Sequence, residues 1–141
     1  MTEAPKGIDS PAQPYTPMSI ADLGRELANV APDGVVPWRL IREFLVEFSH
    51  EEPLHQADLL RDPPPDTGSE RLNAFLAALA EHLSFHHDVR CPAWTQEEQR
   101  SLSTAWFVSG LPAARAAAME TSPASFRRRL IFLDRADLDV A

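Results

Sequence analysis

The stretch Glu70-Arg-Leu-Asn-Ala-Phe-Leu-Ala-Ala-Leu-Ala-Glu-His-Leu-Ser-Phe-His-His87 decides the fold class of this chain. Leu72, Phe75, Leu76, Leu79, Leu83 and His86 recur at i, i+3, i+4 and i+7, the stripe that one face of an α-helix turns toward a core. Ala74, Ala77, Ala78 and Ala80 lie between them and let neighbouring helices approach closely. Ser69, at the end of the Asp66-Thr-Gly-Ser loop, offers an N-cap. Such a stripe must be covered by other elements, and the flanking sequence supplies mostly helices.

Upstream, Ser19 with Asp22 three residues on predicts a helix over 19–30, with Ile20, Leu23, Leu27 and Val30 on one side. After the turn Ala31-Pro-Asp-Gly34, Pro37 suits the first residue of a second helix. There Trp38, Ile41, Phe44, Leu45 and Phe48 share a face widened by Leu40, with Arg39, Glu43 and Glu47 opposite, so this helix is expected at the centre. A third helix opens at Glu51-Glu-Pro53 with Leu54, Ala57 and Leu60 inward, and Pro63-Pro-Pro65 ends it. Downstream, Thr95-Gln-Glu-Glu98 has a capping-box pattern for a short helix to Leu102. Trp106 to Val108 suits an extended stretch, Pro112 starts an alanine-rich helix to Glu120, and Ser122-Pro123 starts another turn. Leu130 to Leu133 reads as a short buried strand, and Asp134 caps a last turn.

The expected architecture is mainly α: one compact helical domain over 18–141 of about five to seven short helices, with short extended segments near 106–108 and 130–133. Residues 1–17 hold Pro5, Pro11, Pro14 and Pro17 but few large apolar groups, and are expected to be disordered. At 141 residues and 44% hydrophobic content the chain is long enough for one sizeable core. It has no apolar run of membrane-spanning length and no secretory-type start, and its single cysteine, Cys91, fits a reducing compartment, which together point to the cytoplasm.

The formal charge of -8 falls mostly in the first half, where residues 1–66 carry 5 basic and 12 acidic side chains. Such a surface disfavours nucleic acid and anionic membranes and favours a basic protein partner. No nucleophile elbow or phosphate-cradling glycine loop occurs, and no cofactor is implied. His50 and His55 are five apart with Pro53 between them, a spacing that fails the zinc-protease pattern. His82 and His86 are one helical turn apart, which suits either a metal or the edge of the helical stripe. Cys91, before a proline, reads as a small packed residue. Arg127-Arg-Arg129 beside Phe126 is the one basic cluster, suited to an acidic partner or to a helix C-terminus. Trp94, Trp106 and Phe107 suit either core positions or interface anchors.

Leu76-Ala-Ala-Leu-Ala-Glu-His-Leu83, Cys91-Pro-Ala-Trp94, Ala105-Trp-Phe107 and Ser122-Pro-Ala-Ser-Phe-Arg-Arg-Arg129, followed by Ile131-Phe132 and Asp137-Leu138, form a recognisable series. It resembles the C-terminal helical module of actinobacterial regulator and antitoxin-like proteins, over about residues 36–138. In those proteins the module follows a helix-turn-helix domain, which this sequence lacks, so DNA binding is not implied. The resemblance implies a non-enzymatic module that binds a protein, a cognate toxin or a regulator, with homo-oligomers left open. Trp94, Trp106, Phe107, Phe126, Arg127, Arg128 and Arg129 are the expected contact residues. The rival expectations are a small metal-dependent enzyme built on His82 and His86, and an oligomeric transcriptional regulator.

Overall fold

In the first helix, α1 (Ile20–Val30), Ser19 Oγ accepts from Asp22 N at 3.0 Å while Asp22 Oδ2 accepts from Ser19 N at 3.1 Å. This reciprocal cap satisfies donors that the first turn would otherwise leave unpaired. The chain is described over residues 16–140 in a computed structural model; residues 1–15, and with them most of the tail expected to be disordered, lie outside the described residues. A turn at Gly34, with φ +80°, leads into α2 (Trp38–Ser49), whose buried side is Ile41, Phe44, Leu45 and Phe48.

Helix α3 (Pro53–Arg61) differs from its sequence pattern. Leu54, expected inward, is 82% exposed, and Gln56 is buried instead. The exchange has a polar side: Gln56 Nε2 donates to the carbonyl of Phe48 at 3.0 Å, adding a second bond to an acceptor near the end of α2 that also takes Glu51 N at 3.1 Å. The proline run then passes close to α1. A Cβ added at Gly24 would stand 2.5 Å from Pro64 Cβ, so the missing side chain is what admits this contact.

Helix α4 (Glu70–His86), not α2, takes the central place. Every residue from Ala74 to Ala80 is buried, and α1, two 3-10 turns and the short helix α6 (Ala124–Arg127) pack around it. Phe75 sits at the crossing, edge-on to Trp38, Trp106 and Phe126 with centroids 5.5 to 6.5 Å apart. The expected helix from Thr95 to Leu102 is instead the 3-10 turns Ala93–Gln96 and Glu98–Arg100, separated by an extended Glu97. Two tertiary contacts hold that shape. Trp94 Nε1 donates to Leu60 O at 3.0 Å, and Arg100 donates to Pro64 O at 2.9 Å and Asn73 O at 3.3 Å.

The extended segments do form. Strands β1 (Trp106–Phe107) and β2 (Ile131–Phe132) pair in parallel, Trp106 opposite Ile131 and Phe107 opposite Phe132. Helix α5 (Pro112–Thr121) and α6 make the crossover between them, and a 3-10 turn over Arg135–Leu138 closes the described chain. Leu130 enters β2 at φ 65°, a left-handed conformation costly for a branched side chain, while its carbonyl accepts from Trp106 N at 2.8 Å. The chain is thus mainly helical with one two-stranded sheet.

Candidate functional site

The three consecutive arginines have three different environments. Arg129 is 2% exposed: one terminal nitrogen donates to Glu81 Oε1 and to Ser125 O, both at 2.7 Å, and the other to Thr95 O at 2.7 Å. Arg128 meets the same carboxylate with two bonds of 2.9 and 2.7 Å and donates to Gln96 Oε1 at 2.6 Å. Gln96 donates in turn to Glu81 Oε2 at 3.0 Å. Burial alone raises the Glu81 pKa, but the bonds from Arg128, Arg129 and Gln96 outweigh it and hold the carboxyl down at about 2. Arg127, exposed, donates to the carbonyls of Met119 and Ser122 near the end of α5, where a cation offsets the helix dipole. The triplet therefore fastens α6 to α4 and α5, and Arg129 is not presented to a partner.

The aromatic candidates divide in the same way. Trp94, Trp106 and Phe126 are buried, whereas Phe107 is half-buried, stacked on Phe132 with centroids 5.0 Å apart. Two arginines that the sequence did not single out lie against this region: Arg115 stands 4.4 Å over the Phe107 ring and Arg71 5.4 Å over the Trp106 ring. They border a groove of about 530 Å³ between the turn 33–36 and the segment 105–110. Val35, 65% exposed, lies on one side of it, and Leu111, 69% exposed, follows the other.

The backbone of β1 gives this groove an open edge. Trp106 and Val108 donate inward to Leu130 and Phe132, so by the alternation of a strand the N–H and C=O of Phe107 face away from β2. The far side of β2 is closed differently: Ser122 Oγ donates to Leu133 O and accepts from Leu133 N, both at 3.0 Å. No protein-family model, curated protein or solved structure matches this chain. The groove's signal in the sequence is faint, since Arg115 is one charge within an alanine-rich helix and Arg71 looks like an ordinary first-turn cation.

The histidine pair lies at the other end of α4. The His82 and His86 rings are 4.2 Å apart between centroids, in a cleft of about 370 Å³ against Pro123, Ala124 and Ser125. Burial, then the nearby charges of His86, Arg135 and His87, pushes His82 down to about 4, so it is neutral near pH 7. Among the described residues no group of three or more His, Cys, Asp or Glu side chains is arranged to hold a metal. His55 pairs with Glu51 at 3.3 Å on the outer face of α3, apart from that cleft. Cys91 is exposed, where the sequence suggested a packed position, with Sγ 3.3 Å from Thr95 Oγ1. Among the described residues no helix is long and apolar enough to cross a membrane.

Proposed function

We propose that this chain is a non-enzymatic, antitoxin-like protein-binding module, and that it takes an extended segment of its partner along the open edge of β1. The observation that carries the reading is the pairing of unsatisfied strand-edge groups at Phe107 with the flanking Arg71 and Arg115. A strand added there gains main-chain hydrogen bonds, and its side chains meet Val35 and Leu111 on either side. Acidic residues on the incoming segment complement the two guanidinium groups, while the acidic first half of the chain attracts basic surface elsewhere on the same partner. The resemblance to antitoxin-like modules supports a toxin or regulator as that partner.

Co-expression with the product of the adjacent gene, followed by affinity capture, tests this. A stable complex is expected, and the double variant R71E/R115E should weaken it at least tenfold while keeping the native thermal transition. A folded double variant that binds as tightly as the parent would overturn the β1 edge as the contact. No complex with any neighbouring product would overturn the antitoxin-like reading itself.

A further inference from the structure

We infer that the cleft between the C-terminal end of α4 and α6 is a second binding site, built for the phosphate group of a phosphate monoester. It shares no lining residue with the β1 groove. Four nitrogen-bearing side chains line it: His82 and His86 from α4, the first of them neutral near pH 7 but still able to donate a ring N–H, and the cations Arg128 beyond α6 and Arg135 from the last 3-10 turn. Arg135 is fixed by its backbone N and Nε, which donate to Thr121 Oγ1 at 3.1 Å and Thr121 O at 3.4 Å. Its two terminal nitrogens make no hydrogen bond among the described residues. The one carboxylate in the lining, Glu81, has both oxygens taken by Arg128, Arg129 and Gln96.

The sign of the field selects the ligand. A cation seated on the two imidazoles would face Arg135 with no free carboxylate to neutralise it, whereas an oxyanion would find donors of the kind that favour phosphate. The acidic side chains nearest to Arg135 in the chain are Asp134, Asp137 and Asp139; Asp134 already accepts from Thr121 Oγ1 and Ala136 N. Asp139 lines an adjoining groove that shares His82, His86 and Arg135 with this cleft, but not the cleft itself. At about 370 Å³ the space exceeds what a bare phosphate fills, and Phe85, 82% exposed, stands at its rim. The phosphate is therefore expected to carry an apolar or aromatic body that lies on the Phe85 ring.

The test is a side-chain NMR titration of the whole chain at pH 7 and low salt, with phenyl phosphate, inorganic phosphate and phenol as three separate probes. Phenyl phosphate should shift the His82 and His86 ring signals saturably and at concentrations at least fivefold lower than inorganic phosphate; phenol should not. R135Q should weaken the phenyl phosphate response at least fivefold, H86A should weaken it as well, and R71Q, which removes the same charge elsewhere, should leave it unchanged. A non-saturable response, or an equal loss in R71Q, would reduce the effect to general electrostatics and overturn the site. So would stoichiometric zinc binding that phosphate does not displace. Equal responses to the two phosphates would remove the organic body and leave a site for free phosphate alone.

Discussion

Arg127, Arg128 and Arg129 adjoin in sequence, whereas Arg71 and Arg115 come from different helices, yet the separated pair is the one that borders the groove beside β1. Of the triplet, Arg129 is drawn inward by Glu81 on α4 and by the carbonyls of Thr95 and Ser125, Arg128 is held on the same carboxylate from its exposed side, and Arg127 is tied to carbonyls near the end of α5. Arg71 and Arg115 have no carboxylate at hydrogen-bonding distance among the described residues, and rest on aromatic rings with their charge still toward water. A run of like charge is thus a poor guide to a contact surface when one half-buried carboxylate can engage two of its members. The useful question is which charges remain unpaired after folding.

The largest effect expected from this contrast is at Arg129. Arg129→Ala removes a buried cation and its three hydrogen bonds, leaving the carbonyls of Ser125 and Thr95 without that donor, and should cost about 3–5 kcal/mol, measured by denaturant unfolding. A loss below about 1 kcal/mol would mean that the triplet is not an internal fastening.

Acid should act through the same region in two stages. His82 has a folded pKa depressed to about 4, so between its ordinary value of 6.5 and about 4 the unfolded chain binds more protons and stability falls as pH falls. Glu81, depressed to about 2 from 4.5, contributes stability that is present above its ordinary range and is lost as pH drops toward 2. Unfolding midpoints measured across pH 7 to 2 should show both slopes. H82F should flatten the upper one and E81Q the lower one.

Arg128→Ala should cost about 1 kcal/mol or less by the same unfolding measurement, because its side chain is half exposed and water screens the pair. Smallest are Arg71→Ala and Arg115→Ala, each about 0.5 kcal/mol in stability. Their effect belongs in partner affinity, and if stability moved more than affinity the roles assigned to the two groups of arginines would be reversed.

Helices were legible where apolar spacing and proline punctuation agreed, as in α1, α4 and α5, and the apolar runs at 106–108 and 130–133 marked both strands. What escaped depends on distant partners. Leu54 and Gln56 exchange faces as Gln56 bonds back to the Phe48 carbonyl of α2, and the pattern from Thr95 to Leu102 becomes two tight turns because Trp94 and Arg100 reach back to Leu60, Pro64 and Asn73. Of the expected contact residues, Phe107 remains accessible at the groove and Arg127 and Arg128 remain exposed, while Trp94, Trp106, Phe126 and Arg129 are buried. No local pattern joins Arg71 to Arg115, since α4 carries the first and the crossover helix α5 the second against β1.

The parallel pairing of β1 with β2 also bears on when this edge exists. Closing a loop of about 25 residues costs roughly 3 kcal/mol of chain entropy, more than two paired residues return on their own. The pair is therefore borrowed from the docking of Trp106 and Phe126 on Phe75, and forms only once α4 is in place. In native-state hydrogen exchange the amides of Trp106 and Val108 should open together with α6, so the surface offered to a partner comes and goes as one cooperative unit.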